Sequence, residues 1–276
     1  MDLTTTITLN NGIGIPQFGL GVYKSAAGEE TEGAVTAALA AGYRSVDTAT
    51  FYANEQSVGA ALAASGVDRS QVFVTTKVWN TDQGYGRTRE VFDESLRLLG
   101  LETLDLYLIH WPVRESYLDT WKALESLYAE GRVRAIGVSN FEVHHLEYLM
   151  RNAEVVPAVN QIELHPYLQQ KDIRAYCRTH GIAVEAWSPI ARGTVLDDPV
   201  IGDIAAAYGK SPVQVTVRWE LQHGIITIPK SVHANRIREN AQVFDFELSE
   251  DDMAAIDAID RGEAGRIGPH PDTIGS

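Results

Sequence analysis

The sequence predicts an α/β protein, a (β/α)8 TIM barrel with an N-terminal β-hairpin and an extra C-terminal helix and loop. Eight short apolar runs, typical of strands buried on both faces, recur along the chain. Segments with helical periodicity lie between them, and several end in glycine, which readily adopts the left-handed conformation that closes a helix. Because strands and helices alternate eight times, a closed barrel is favoured over an open sheet.

The predicted strands and helices alternate in a regular order. The strands are expected at residues 18–22, 43–47, 72–78, 104–110, 133–139, 157–163, 182–188 and 225–229. The helices are expected at residues 29–42, 55–65, 88–100, 117–131, 144–150, 172–181, 212–224 and 234–244. In such a barrel the C-terminal ends of all strands meet at one rim.

Two further elements flank the barrel. Residues 5–16 read as a β-hairpin with Asn11 and Gly12 in its turn, and we expect this hairpin to cover the bottom of the barrel. After the eighth strand, Ser249 is a candidate N-cap of an additional helix. The glycine- and proline-containing tail, residues 261–276, is expected to be a surface loop that closes the pocket.

Composition narrows the classes of function. Hydrophobic residues make up 45% of the chain and no linker divides it, so we expect one domain spanning residues 1–276. The net charge of −14 disfavours a nucleic-acid partner, although a local basic cluster can still bind a small anion. A single cysteine, Cys177, is typical of a reduced cytoplasmic protein. Without an apolar run of membrane-spanning length or a signal peptide, we expect a cytoplasmic protein with no membrane partner.

Polar and aromatic side chains follow almost every predicted strand. In barrel enzymes the active site lies at the C-terminal ends of the strands, so these residues are the candidates for catalysis and binding. They are Asp47 and Tyr52, Lys77 and Trp79, His110 and Trp111, Ser139 and Asn140, Gln161, Trp187 and Ser188, and Lys230 and Ser231.

Several motifs carry a resemblance to a known family. They are GYRSVDTATFYANE, TTKVWN, DLYLIHWP, IGVSNF, VVPAVNQIELHP, AWSPI and IPKSVHANRIREN. Along essentially its whole length the chain resembles the aldo-keto reductases, and within them the 2,5-diketo-D-gluconic acid reductases and prostaglandin F synthase-like members. The resemblance implies a catalytic tetrad of Asp47, Tyr52, Lys77 and His110. It also implies a monomer.

The side chains of these four residues also suit the chemistry of carbonyl reduction. Reduction of a carbonyl needs a hydride for carbon and an acid that protonates oxygen. Tyr52 is the candidate acid, and we expect the ammonium of Lys77 to lower its pKa from about 10. Asp47 is expected to keep Lys77 charged, and His110 to donate a hydrogen bond to the substrate carbonyl.

The cofactor is expected to be NADPH/NADP+, bound without a Rossmann motif. No GxGxxG sequence is present, whereas barrels often bind phosphate at the loops after strands seven and eight. Lys230, Ser231 and Arg236 lie there and suit a ribose 2′-phosphate. The resemblance places Val232, Glu239 and Asn240 around the adenosine.

The other contacts are expected nearer the reacting centre. For the nicotinamide we expect hydrogen bonds from Ser139, Asn140 and Gln161 and stacking on Trp187. The remaining cofactor-binding candidates are Gly21, Val22, Asp47, Ser188, Ile190 and Ile228. The substrate-binding candidates for a small carbonyl compound are Tyr23, Tyr52, Trp79, His110 and Trp111. No metal site is expected, and His144 and His145 are interpreted as solvated residues of a surface helix.

Other functions stay open. A nicotinamide-nucleotide-sensing scaffold or binding subunit would bind NADPH with little turnover. A phosphosugar isomerase or aldolase barrel would use Lys77 or a glutamate as base and need no nicotinamide. Two positions depart from the family pattern: Ala53 stands where glycine is usual, and His233 lies in the phosphate-binding segment.

Overall fold

Eight parallel strands form the barrel that the sequence predicts. The computed structural model describes residues 1–274. Its strands are β1 Thr6–Thr8, β2 Gly14–Pro16, β3 Leu20–Gly21, β4 Ser45–Asp47, β5 Phe73–Val78, β6 Leu104–Ile109, β7 Val133–Ser139, β8 Val159–Glu163, β9 Ala183–Trp187 and β10 Ile226–Thr227. β3 to β10 form one sheet in sequential order. Bridges from Phe18 to Thr227 and from Gly21 to Lys230 join its two edges, and the predicted fold class is confirmed.

The N-terminal hairpin covers the lower end of the barrel. β1 and β2 pair antiparallel, with Ile7 opposite Ile15. Ile15 and Leu9 are buried in a cluster with Phe73, the first residue of β5, and with Leu106 in β6. Because these apolar contacts lie where barrel strands begin, the hairpin closes the end opposite the predicted site.

Ten α-helices occur within residues 1–274 and pack around the sheet. They are α1 Glu29–Ala40, α2 Glu55–Ala64, α3 Tyr85–Leu99, α4 Tyr117–Ala129, α5 Val143–Met150, α6 Lys171–Thr179, α7 Pro199–Tyr208, α8 Pro212–Gln222, α9 Ala234–Asn240 and α10 Glu250–Asp257. Ser249 caps α10 as predicted, accepting a hydrogen bond from the backbone of Asp252. No helix in this part of the chain has the length and apolar character needed to cross a bilayer.

Helix α7 is absent from the sequence prediction. Its start is marked by Asp198, whose side chain accepts hydrogen bonds from the amides of Val200 and Ile201. Pro199 occupies the first turn, and Gly209 ends the helix with a left-handed φ of 62°. The N-cap aspartate, the proline of the first turn and the final glycine can all be read from the sequence. The helix was not predicted because only one helix was expected between successive strands.

The C-terminal tail follows α10 and contacts the barrel at the ends of β8 and β9, through Glu163 and Trp187. Short 3-10 turns occupy Gly262–Gly265 and Pro271–Thr273. Its last residues, 275–276, lie outside the described residues. No residue of the described tail lines the cavity that Tyr52 and His110 border, and the expectation that the tail closes this pocket stays a prediction.

Candidate active site

A buried ion pair joins the second and third barrel strands at the rim. Lys77 Nζ lies 2.6 Å from Asp47 Oδ1 and donates a second hydrogen bond, of 2.9 Å, to the carbonyl of Thr48. The side chain of Lys77 is fully buried. Burial lowers its pKa, but the combined effect of Asp47, Tyr52 and Glu185 is larger and the net pKa is raised. The ammonium is therefore charged and fixed.

Tyr52 places its phenol beside this ammonium. It ends the 3-10 turn Thr50–Tyr52, and its hydroxyl lies 3.5 Å from Lys77 Nζ. Ala53, the next residue, holds a left-handed φ of 54°. The expected fall in the pKa of Tyr52 is wrong for this structure, because burial raises it to about 12 and Lys77 only partly opposes that rise. The phenol is therefore protonated at neutral pH, as a proton donor must be.

His110 faces the same cavity as a neutral imidazole. Burial, and then the charge of Lys77, hold its pKa well below the usual value. Its ring meets those of Trp79 and Tyr52 edge-on, with centroid distances of 4.9 and 5.7 Å. The backbone carbonyl of His110 accepts a 2.9 Å hydrogen bond from Asn140 Nδ2, which fixes the end of β6. A neutral imidazole can donate one N–H to a carbonyl oxygen without protonating it.

A second carboxylate, Glu185, lies behind the ion pair. Gln161 Nε2 donates to Asp47 Oδ2 at 2.9 Å and to Glu185 Oε2 at 2.6 Å. Burial raises the pKa of Glu185 to about 8, and Asp47 adds to that rise. Glu185 is missing from the predicted site residues because it lies inside β9 and not at the end of the strand. Its position two residues before Trp187 in β9 is the available signal, since alternate strand residues share a face.

Amide and hydroxyl groups continue around the rim. Ser139 donates its hydroxyl to the backbone carbonyl of Gln161 at 2.8 Å, and Asn140 Nδ2 lies 3.1 Å from that hydroxyl. Trp187 donates its indole N–H to Asn140 Oδ1 at 2.7 Å. Because the Nε2 group of Gln161 serves two carboxylates, its Oε1 is the group left to accept a hydrogen bond from a ligand.

A single cavity brings most of the predicted residues together. Those lining it are Gly21, Tyr23, Asp47, Tyr52, Trp79, His110, Trp111, Ser139, Asn140, Gln161, Trp187, Ser188 and Ile228. Two lining residues, Phe51 and Arg192, are missing from the sequence prediction. Phe51 stacks on Trp79 at a centroid distance of 3.8 Å, and its position directly before Tyr52 is the signal that could have found it. No comparable signal identifies Arg192, which depends on the path of an irregular loop.

The remaining predicted cofactor residues do not line this cavity. They are Val22, Ile190, Lys230, Ser231, Val232, Arg236, Glu239 and Asn240. Lys230 is nevertheless adjacent, since it forms a bridge with Gly21, a lining residue. The side chains of Lys230 and Arg236 are exposed, and within residues 1–274 neither forms an ion pair. An unpaired cation next to the cavity and a second one at the start of α9 fit an anionic group such as phosphate.

A histidine cluster lies outside the cavity, on α5. Asp272 Oδ1 lies 3.0 Å from His144 Nε2 and 3.4 Å from His145 Nε2, a grouping that could in principle hold a metal. However, His145 Nδ1 accepts the backbone N–H of Glu142 at 3.2 Å. The neutral ring therefore carries its proton on Nε2, which donates to Asp272 and opposes metal coordination there. His144 is exposed as expected, whereas His145 is half-buried.

Fold and site define the class of the protein. It is a (β/α)8-barrel enzyme with a cavity lined by titratable side chains at the C-terminal rim of the strands. The sequence matches the Aldo/keto reductase family over residues 12–261. The chain therefore belongs to the aldo/keto reductase family.

Similar proteins span nearly the full chain. Glyoxal reductase from Bacillus subtilis is 54% identical over 272 residues, which cover 99% of this chain and 98% of that protein. Methylglyoxal reductase DkgA from Salmonella typhimurium is 49% identical over 275 residues, 98% of each. A crystal structure of a Gox0644 variant in complex with NADPH is 48% identical, with a TM-score of 0.94 and 98% of each chain covered. The predictions of an oxidoreductase of this family and of NADPH as its cofactor are confirmed.

Proposed function

We propose that the protein reduces small aldehydes and ketones, with Tyr52 as the general acid. The observation that carries the proposal is the chain of contacts from the Tyr52 hydroxyl to Lys77 at 3.5 Å and onward to Asp47 at 2.6 Å. A protonated phenol that borders an open cavity and is backed by a fixed cation can release a proton to an oxygen where negative charge develops.

The cavity residues divide the work of the reaction. NADPH, when bound, supplies the hydride that adds to the carbonyl carbon. Tyr52 transfers its proton to the carbonyl oxygen, so that one O–H bond breaks and another forms. The charge of Lys77 stabilises the resulting phenolate until it regains a proton from solvent. His110 donates a hydrogen bond that orients the same oxygen.

The cofactor is proposed to extend from the cavity to α9. Gln161 Oε1, Ser139 and Asn140, which line the cavity, are proposed to bind the carboxamide, and Trp187 is proposed to stack on the nicotinamide ring. Arg236 and the neighbouring Lys230 and Ser231 are proposed to bind the 2′-phosphate. The contacts of Val232, Glu239 and Asn240 with the adenosine stay predictions, as do the single domain, the monomer and the cytoplasmic location.

The proposed substrates are 2-oxoaldehydes and similar small dicarbonyls. Relatives named glyoxal reductase and methylglyoxal reductase support this class. Tyr23, Phe51, Trp79 and Trp111 give the cavity an aromatic wall, which suits a compact planar molecule.

Tyr52→Phe tests the proposal, with Tyr23→Phe as the matched control. Both substitutions remove a phenolic oxygen from the same cavity, and the two rings lie 5.0 Å apart, but the phenol beside Lys77 is that of Tyr52. NADPH oxidation with methylglyoxal is expected to fall about 10²–10⁴-fold in Tyr52→Phe and little in Tyr23→Phe. NADPH affinity is expected to stay close to that of the wild type in both.

Three results would contradict this assignment. Equal losses in both variants would show that Tyr52 has no special role. Loss of NADPH binding in Tyr52→Phe would give it a binding function instead. Tight NADPH binding by the wild type without turnover of any aldehyde or dicarbonyl would favour the nucleotide-sensing alternative.

A further inference from the structure

The tail is attached to the barrel by a buried carboxylate that the proposed reaction does not use. Glu163, the last residue of β8, has a fully buried side chain. Its Oε1 accepts the backbone N–H of Ile267 at 2.6 Å, and its Oε2 accepts that of Gly268 at 2.8 Å. His165 Nε2 lies 3.1 Å from Oε1 as a third partner. One carboxylate thus holds two consecutive amides of the tail.

These contacts keep Glu163 ionised. Burial by itself raises its pKa, but the hydrogen bonds from His165 and from the two tail amides outweigh burial, and the net pKa is lowered. Hydrogen bonds to a charged acceptor are stronger than those between neutral groups. The tail is therefore attached at Glu163, and the attachment depends on the negative charge of this carboxylate.

The attachment brings Gly268 against the indole of Trp187. Glu163 and Trp187 are register partners on β8 and β9, so a residue bound to one is adjacent to the other. A Cβ atom at position 268 would lie 2.5 Å from the Cη2 atom of Trp187 and 2.8 Å from Glu163 Oε2. No side chain fits there, and only glycine lets the tail backbone approach the ring so closely.

Trp187 is consequently held at both ends. Asn140 Oδ1 binds its indole N–H at 2.7 Å, and Gly268 packs against the far edge of its six-membered ring. Trp187 also lines the active-site cavity. The tail therefore limits the orientations of a ring that borders the site, although no described tail residue lines the cavity itself.

We propose that Glu163 and Gly268 are positioning residues that couple docking of the tail to binding of the nicotinamide cofactor through Trp187. The inference rests on the proposed function, in which the nicotinamide stacks on this ring. A displaced indole presents the wrong plane to the cofactor, and by linkage a bound cofactor favours the docked tail.

NADPH titration of the full-length protein tests the coupling through fluorescence of the bound nucleotide. Gly268→Ala places a methyl group into the indole, and Glu163→Gln removes the charge and one of the two acceptor oxygens. Each is expected to raise the Kd for NADPH about tenfold, the loss expected from one misplaced interaction of moderate strength. Asp272→Asn weakens the contact between the tail and α5 but leaves Gly268 in place, so its Kd is expected to match the wild type.

Hydrogen exchange gives a second measurement that needs no variant. The amides of Ile267 and Gly268 are expected to exchange more slowly in the wild type when NADPH is added, because the coupling acts in both directions. Unchanged exchange at these amides, or unchanged Kd values in Gly268→Ala and Glu163→Gln with wild-type melting curves, would overturn the inference. If the wild type itself fails to bind NADPH, the proposed function fails as well, and the two failures are distinguishable.

Discussion

The pH dependence of the two reaction directions tests the role of Tyr52 most directly. Burial raises the pKa of its phenol to about 12. At pH 7 the deprotonated fraction is therefore about one part in 10⁵, and at pH 9 it is still about one part in 10³. An acid that is fully protonated throughout this range gives a reduction rate that does not depend on its titration.

The reverse reaction needs the opposite protonation state. In the proposed mechanism, oxidation of an alcohol requires the phenolate of Tyr52 as base. Below the pKa, the population of this phenolate rises tenfold with each unit of increasing pH. NADP+ carries a positively charged ring, so we expect the midpoint of the oxidation profile to fall below 12. Reduction with NADPH is expected to stay flat from pH 6.5 to about 9, whereas kcat/KM for oxidation rises with a slope near one.

The assay is kcat/KM for methylglyoxal reduction and for oxidation of the corresponding hydroxy compound, each measured across this pH range in a constant-ionic-strength buffer. Glu185, whose pKa is raised to about 8, is the nearby group that could add its own titration. Glu185→Gln identifies its contribution. A tenfold loss of reduction per pH unit between 7 and 9 that survives Glu185→Gln would refute Tyr52 as a high-pKa acid.

Three further predictions concern the buried ammonium of Lys77, recognition of the cofactor 2′-phosphate by Arg236, and the packing of Gly137 in the barrel. Lys77→Met leaves the buried carboxylate of Asp47 without its ammonium partner. We therefore expect the unfolding free energy, measured by denaturant titration, to fall by about 3–5 kcal/mol and kcat to fall strongly. Wild-type stability of this variant would contradict the ion-pair assignment. Arg236→Ala should raise the Kd for NADPH about tenfold and leave the Kd for NADH unchanged. Arg238→Ala, at an exposed position on the same helix, is the control. Equal weakening of NADPH and NADH binding would exclude recognition of the 2′-phosphate by Arg236. Gly137→Ala puts a Cβ 2.6 Å from a backbone oxygen of β8 and should lower stability by about 1–3 kcal/mol in a thermal melt, whereas Gly202→Ala, with open space around it, should not.

The residues at the strand ends could be predicted from the sequence because the C-terminal ends of all strands in a parallel barrel meet at one rim. Asp47 and Lys77 lie 30 residues apart in the chain, yet register places their strands side by side, and the ion pair follows from this neighbourhood. The phosphate-binding candidates were found by the same logic, from their position after the eighth strand. Periodicity and strand order were therefore sufficient for the barrel and for the direction of the site.

Desolvation could not be predicted in the same way. The sequence identifies Lys77 as a neighbour of Tyr52, but the amount of water excluded around the phenol is a property of packing, and it reversed the expected pKa shift. Arg192 was missed because its loop has a left-handed backbone that no periodicity reveals. The tail was expected to close the pocket, yet the position of Gly268 depends on a hydrogen bond that its own N–H donates to Glu163, on a strand distant in sequence.

The left-handed backbone of Ala53, next to the phenol of Tyr52, affects how this loop tolerates substitution. An alanine in that conformation costs roughly 1–2 kcal/mol relative to glycine. Glycine, however, has more freedom in the unfolded chain and loses about 0.4–1 kcal/mol more on folding. The strain is the larger of the two amounts, so Ala53→Gly is expected to leave the melting temperature unchanged or to raise it slightly. Alanine also restricts the backbone conformations of the loop more than glycine does, and it thereby limits the positions that the phenol of Tyr52 can adopt.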